Sequence, residues 1–111
     1  MICDSWDVVV TPVPFTDGPA SKRRPALVLS PEGFNRYGYT ILAMITKADR
    51  SQWPSDTEIK HETAGLKHSC VVRMKVFTLD TRLILRRVGQ LAQSDRTRVL
   101  DALDCCLPRR K

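Results

Sequence analysis

Long hydrophobic runs are missing from this sequence, and so is a basic leader followed by an apolar stretch. No segment approaches the roughly 18 consecutive apolar residues that a membrane-spanning helix needs. The first residues, MICDSWDVVVTPVPF, do not have the pattern of a secretory signal. We therefore expect a cytoplasmic protein with no role at a membrane.

Paired cysteine motifs are also missing. The four cysteines are Cys3, Cys70, Cys105 and Cys106, and no two of them form a CxxC pair. This spacing does not suit a zinc site, and adjacent cysteines rarely form a disulfide with each other. We expect reduced thiols, as in cytosolic proteins, and neither a metal nor another cofactor.

Acidic residues are scarce relative to basic ones. There are 12 Asp and Glu against 18 Lys and Arg, which gives a formal net charge of +6. This excess favours an anionic partner (nucleic acid, an acidic peptide or a membrane surface), and charge alone does not choose among them. The length of 111 residues predicts one domain, residues 1–111, whose small core oligomerisation would help to stabilise.

Short β-branched and apolar segments separated by polar turns occupy most of the chain. They predict strands at 6–12, 25–30, 40–46, 57–60 and 70–79, with loops at 16–23 and 31–38 and a turn at 64–66. The segment 84–91 contains Gly89 and suits either a strand or a helix. Many short strands with polar turns are typical of a compact barrel or a highly curved sheet.

A helix is predicted at the C-terminal end. Ser94 is a candidate N-cap, and Asp95 would lie in the first turn. The apolar residues at 99, 100, 103 and 107 recur at helical spacing, and Pro108 ends the pattern. The predicted fold class is therefore mainly β with a C-terminal helix.

Four segments must be considered together: WDVVVTPVPFTD, SKRRPALVLS, LAMIT and AGLKHSCVVRMKVFTLDTRLILRRVGQL. In this order and spacing they closely resemble the MazF/PemK family of toxins from bacterial toxin–antitoxin systems, over residues 6–107. The resemblance implies an SH3-like barrel, also used by CcdB-like toxins, and usually a homodimer. It implies a metal-independent, sequence-specific endoribonuclease (an mRNA interferase) that cuts single-stranded RNA and is inhibited by a cognate antitoxin.

Two residues match catalytic positions of that family, Arg24 before Pro25 and Thr46 at the end of the third strand. An RNase without a metal uses the ribose 2′-OH as nucleophile and needs a base, an acid and a cation for the phosphorane charge. The Arg24 guanidinium suits the last role, and the Thr46 hydroxyl suits holding the phosphate or orienting the 2′-OH. From the local pattern alone, a solvated basic loop and an ordinary strand threonine remain alternatives.

RNA contacts are predicted around this pair. In the family the first loop closes over RNA, although Asp17 also suits a simple turn. Trp53 suits either stacking on an unpaired base or anchoring a loop. The predicted RNA-binding residues are Phe15, Asp17, Lys22, Arg23, Trp53, Arg73 and Lys75.

The sequence does not identify the general base. Many relatives carry an acidic residue followed by Gln after the strand that ends in CVV, whereas this chain has Met74 and Lys75 after Arg73. His61 and His68 have the chemistry for proton transfer, but a surface position is the preferred interpretation of both. Two alternatives therefore stay open: a non-catalytic nucleic-acid-binding or regulatory barrel, and a CcdB-like toxin that binds DNA gyrase through its C-terminal helix.

Overall fold

The computed structural model describes residues 1–12, 23–49 and 52–108. The described residues form six strands and two helices: β1 (Asp7–Pro12), β2 (Arg23–Val28), α1 (Glu32–Asn35), β3 (Tyr39–Lys47), β4 (Thr57–Ile59), β5 (Cys70–Asp80), β6 (Arg86–Gln90) and α2 (Gln93–Cys106). The strands make one antiparallel sheet in the order β4-β5-β3-β2-β1-β6, which curls into a half-barrel. The predicted mainly β fold with a C-terminal helix is confirmed.

The core has two parts because successive strand residues point to opposite sides of the sheet. Leu27 and Ile45 belong to a cluster that includes Val99 of α2. Val28 and Leu42 belong to a second cluster. The middle strands are therefore buried on both faces, which explains why their sequences are almost continuously apolar.

The C-terminal helix ends before Pro108 as predicted, since its last residue is Cys106. The prediction of Ser94 as the N-cap is wrong. The helix begins at Gln93, so Ser94 lies inside the first turn, and the cap position Ala92 makes no side-chain hydrogen bond. None of the helices in the described ranges is both long and apolar enough to cross a membrane.

Asp95 lies in the first turn of α2, as predicted, but its carboxylate is buried. It accepts a hydrogen bond of 2.8 Å from the backbone N–H of Lys60 and another from the side chain of Arg98. A carboxylate near a helix N-terminus also interacts favourably with the helix dipole. Asp95 therefore ties α2 to the segment that follows β4.

The structure differs from the prediction for one segment and decides another that the sequence left open. The predicted loop 31–38 contains the short helix α1, whose buried Asn35 donates hydrogen bonds to the carbonyls of Cys3 (2.9 Å) and Ser30 (3.0 Å). These tertiary bonds fix a helix too short for a periodic pattern. The segment 84–91 proves to be a strand, because β6 pairs with β1 at the edge of the sheet.

The β3–β5 ladder shifts its register between Ala43 and Met44. Met74 and Lys75 of β5 are the extra residues at this β-bulge, and Met74 packs against the first core cluster. A bulge bends its strand and increases the local twist, which helps the sheet to curl. The two residues that depart from the family pattern therefore lie at a bend of the sheet.

Candidate functional site

Arg24 and Thr46, the two residues predicted to be catalytic, lie on neighbouring strands. In the β2–β3 ladder Ala26 lies opposite Met44. Arg24 lies two residues before Ala26, and Thr46 lies two residues after Met44. Because the strands are antiparallel, the same register continued places Arg24 and Thr46 opposite each other on one face of the sheet. Both residues line an open cleft of about 430 Å³. The structure therefore brings the predicted pair together.

The cleft is basic, and the described residues that line it include no carboxylate. Besides the predicted pair, the lining residues are Arg23, Pro25, Ile45, Lys47, Leu66, Lys67, His68 and Cys70. A concave surface with charges of one sign concentrates ligands of the opposite sign. The cleft is therefore suited to an anionic ligand such as the phosphodiester of a nucleic acid.

Two buried polar atoms at this end of the sheet have no hydrogen-bond partner within the described ranges, namely Oγ1 of Thr11 and Nε of Arg24. Thr11 lies opposite Arg24 in the β1–β2 ladder and is fully buried. Buried polar groups are normally satisfied, and leaving one without a partner costs about 1–3 kcal/mol. An anion bound at Arg24 would supply an acceptor for the missing bond.

The two histidines occupy different places. His68 is exposed, as expected, but it lines the same cleft as the predicted catalytic pair. Strand pairing explains this, because Lys47 at the end of β3 lies opposite Cys70, two residues after His68. His61 instead contacts the carboxylate of the adjacent Glu62, with 2.8 Å between Nε2 and Oε1.

A second group of side chains surrounds Arg73 in β5. Its Nε and Nη2 donate hydrogen bonds of 3.2 and 3.0 Å to the two carboxylate oxygens of Asp56. Asp56 also accepts a bond of 3.0 Å from the backbone N–H of Trp53. The guanidinium lies over the Trp53 ring, with 5.0 Å from Cζ to the ring centroid. Because Arg73 is only 8% exposed, this ion pair is largely desolvated.

The Asp56 carboxyl group is held in its charged form. Burial alone would raise its pKa, but the hydrogen bond from Arg73, the backbone bond from Trp53 and the positive charge of Arg73 outweigh burial and lower the pKa below its ordinary value. A lowered pKa in the folded state means that the charged carboxylate stabilises the fold.

Asp56→Asn is expected to destabilise the protein by roughly 1–3 kcal/mol at neutral pH, because it removes the carboxylate charge that pairs with the buried Arg73 guanidinium. The contribution of Asp56 is fully present above its unfolded-state pKa of about 4 and is lost as the pH falls through the lower folded-state pKa. Urea unfolding of both proteins at neutral pH and at successive pH values below about 4 measures this difference.

Asp101→Asn provides the matched control for this prediction. Asp101 is exposed on α2, and its replacement is expected to change the free energy of unfolding by less than about 0.5 kcal/mol. A gap between wild type and Asp56→Asn that stays constant into acid would contradict the proposed role of the carboxylate charge.

Comparison with protein families identifies the chain. A family model described as a PemK-like, MazF-like toxin of type II toxin-antitoxin systems matches residues 4–107. The chain belongs to this toxin family. The resemblance carried by the four sequence segments is thus confirmed over almost the whole length. A comparison with curated protein sequences found no significant match.

Solved structures share the fold of this PemK/MazF-like toxin. The MazE-MazF structure (Form-II) from Deinococcus radiodurans has a TM-score of 0.74 and 23% identity, with 99% of both chains covered. The Mycobacterium tuberculosis toxin MazF-mt6 has a TM-score of 0.71 and 20% identity, covering 87% of this chain and 91% of its own. An endoribonuclease in complex with its cognate antitoxin from a mycobacterial species has a TM-score of 0.73 and 16% identity, covering 97% and 99%.

The remaining predicted RNA-binding residues of the toxin lie in different surroundings. Arg23 is exposed on the cleft, Lys75 is at the bulge of β5, and Trp53 is 43% exposed. Arg73 is buried in the ion pair described above. Phe15, Asp17 and Lys22 lie outside the described residues. Their contacts with RNA stay predictions.

Sequence reasoning about this toxin missed Asp56 and Thr11. Asp56 follows Trp53 by three residues in a polar loop, which is a signal for a turn but not for an ion pair. Its partner Arg73 is 17 residues away, and only the pairing of β4 with β5 brings them together. Thr11 gave no signal, since threonine is an ordinary strand residue.

Proposed function

We propose that this protein is the toxin of a type II toxin–antitoxin pair and acts as a metal-independent, sequence-specific endoribonuclease on single-stranded RNA (an mRNA interferase). The main support is that Arg24 and Thr46 line one basic cleft whose described lining has no carboxylate. Membership of the PemK/MazF-like toxin family supports the toxin role. The endoribonuclease named among the structural relatives supports the reaction.

The chemical step uses a nucleophile that belongs to the RNA. The ribose 2′-OH loses its proton to a base as its oxygen attacks the phosphorus, the bond to the 5′-oxygen breaks, and the 5′-oxygen takes up a proton from an acid. The products are a 2′,3′-cyclic phosphate and a 5′-hydroxyl end. The Arg24 guanidinium stabilises the additional negative charge of the phosphorane. The Thr46 hydroxyl holds a phosphate oxygen or orients the 2′-OH.

Proton transfer is assigned to His68 in this mechanism. An imidazole can both accept and donate a proton near neutral pH, which suits removal of the 2′-OH proton or protonation of the leaving oxygen. His68 is chosen over His61 because only His68 lines the cleft. Its exposure is compatible with this role, since the cleft opens to solvent.

RNA binding extends from the cleft along the curled sheet. Lys22, Arg23 and Lys75 are assigned to phosphate contacts, and Phe15 and Asp17 to contacts in the first loop. Cationic side chains neutralise phosphates and release their counter-ions, so binding is expected to weaken as the salt concentration rises.

The proposed partners besides RNA are a cognate antitoxin and a second copy of the chain. The names of relatives from Deinococcus radiodurans and from a mycobacterial species describe toxin–antitoxin complexes. A disordered acidic segment of an antitoxin would complement the basic cleft and could cover an extended groove. A homodimer would bury more apolar surface than so small a core can bury alone. The proposed location is the cytoplasm.

Cleavage of a long single-stranded RNA in EDTA tests the proposed function. We expect discrete cuts with 5′-hydroxyl and 2′,3′-cyclic phosphate ends, and no cuts in the same sequence made with 2′-O-methyl ribose. Binding without cutting by folded, antitoxin-free protein, across several RNAs, would favour the non-catalytic alternative. Inhibition of DNA gyrase without RNA cleavage would favour the CcdB-like alternative.

A further inference from the structure

Trp53 is fixed at both its backbone and its ring. Its backbone N–H donates to Asp56, and its carbonyl accepts a bond of 3.2 Å from the backbone N–H of Asp56, which closes the 53–56 turn. Its ring packs against the guanidinium of Arg73. Yet 43% of the Trp53 surface is exposed. A large aromatic side chain is thus held rigidly while much of its surface stays open to solvent.

Arg73 is better suited to supporting the indole than to binding phosphate. Both of its bonds to Asp56 run from one guanidinium to one carboxylate, so the charge is neutralised within the protein. The residue is also buried. A planar guanidinium stacks well on an aromatic ring and is attracted by its quadrupole. The predicted effect of Arg73 on RNA binding is therefore indirect.

Arg73, which packs against the Trp53 ring, shares a sheet face with Thr46 of the proposed catalytic pair. Thr46 lies opposite Val71 in the β3–β5 ladder. Two residues further along, Met44 lies opposite Arg73. Arg73 is therefore a diagonal neighbour of Thr46, and such positions in an antiparallel pair are about 7–8 Å apart. The ring centroid of Trp53 lies 5.0 Å from the guanidinium carbon of Arg73.

We propose that Trp53 forms a stacking subsite for an unpaired RNA base next to the scissile phosphate, and that Arg73 and Asp56 are positioning residues that hold its ring. This inference rests on the proposed function and names a subsite within it. Stacking on an aromatic side chain accepts any base, because every base has a π-face. The subsite therefore adds affinity for single strands, while sequence choice is made elsewhere.

Binding of a single strand that cannot be cut tests the subsite. The probe is a 5′-labelled RNA oligonucleotide of mixed sequence with 2′-fluoro in place of every 2′-hydroxyl, followed by fluorescence anisotropy. Trp53→Ala is expected to weaken binding about tenfold, whereas Trp53→Phe keeps a ring and most of the affinity. Tyr37→Ala removes an aromatic side chain that is 91% exposed, and it serves as the matched control with unchanged binding.

The salt dependence separates positioning from a phosphate contact. The double variant Arg73→Gln with Asp56→Asn removes both charges together, so that no buried charge is left without a partner. We expect it to weaken binding about as much as Trp53→Ala, with no further loss when the two are combined and no change in salt slope. A slope of log Kobs against log salt that falls by about 0.7 would indicate a phosphate contact and overturn the positioning role.

Failure of this inference and failure of the proposed nuclease give different results. If RNA is cut at discrete sites while Trp53→Ala binds and cuts like wild type, the subsite is absent and the nuclease stands. If the oligonucleotide binds in a Trp53-dependent manner while no RNA is cut, the subsite stands and the nuclease does not.

Discussion

Arg24→Ala is expected to lower the single-turnover rate of RNA cleavage by about 10²–10³-fold while the protein stays folded. Arg24 lies opposite Thr11 of β1, and the register of the β2–β3 ladder, when continued, places it opposite Thr46 of β3. Its Nε is buried and has no partner among the described residues, so the fold gains nothing from a bond at that atom. Removing such a donor leaves stability unchanged or slightly higher. Cleavage rates beside thermal melting measure this combination.

Two matched variants sharpen the Arg24 prediction. Arg24→Lys keeps the charge but loses the planar fork of donors, so an intermediate rate is expected. Arg23→Ala removes an exposed cation from the same cleft, and its smaller loss should depend strongly on salt. Cleavage by Arg24→Ala at the wild-type rate would remove this residue from the mechanism, and the RNase proposal would lose its main support.

The strands could be predicted where burial on both faces makes the sequence apolar. The strand predicted at 40–46 is β3, Tyr39–Lys47, and its residues from Leu42 to Ile45 are buried. The segment that became β6 was undecided, because its sequence RRVGQ has little apolar content. Its pairing with β1 decides its structure. Because β1 is distant in the chain, this pairing produces no recognisable pattern in the sequence of the segment itself.

Only part of the candidate site could be predicted, because its residues also come from strands that are distant in the chain. Arg24 and Thr46 were found through the resemblance to a family, since neither stands out from its neighbours in the sequence. His68 reaches the cleft because Cys70 at the start of β5 pairs with Lys47 at the end of β3. The partnership of Asp56 with Arg73 depends on where β4 begins, because Asp56 directly precedes Thr57, which lies opposite Val72. Local sequence shows which residues have the chemistry for a site, but which of them lie close together depends on strand register.

Gly65→Ala is expected to destabilise the toxin by roughly 2–5 kcal/mol. Gly65 has a φ of +79°, a left-handed conformation that is strained for any residue with a side chain. An added Cβ would also lie 2.1 Å from the carbonyl oxygen of Val88 in β6, so the backbone would have to move. The midpoint of thermal unfolding should fall by about 10–20 °C, as measured by circular dichroism.

Gly33→Ala is the matched control, because a Cβ there meets no atom within 4 Å and Gly33 lies in the helix α1. We expect it to be neutral or to stabilise the protein by up to about 1 kcal/mol. The next residues after Gly65 include Lys67 and His68 of the cleft wall. Any folded fraction of Gly65→Ala should therefore also cut RNA more slowly, since a turn displaced from β6 carries both side chains with it. Equal melting of the two glycine variants would contradict the close packing of this turn.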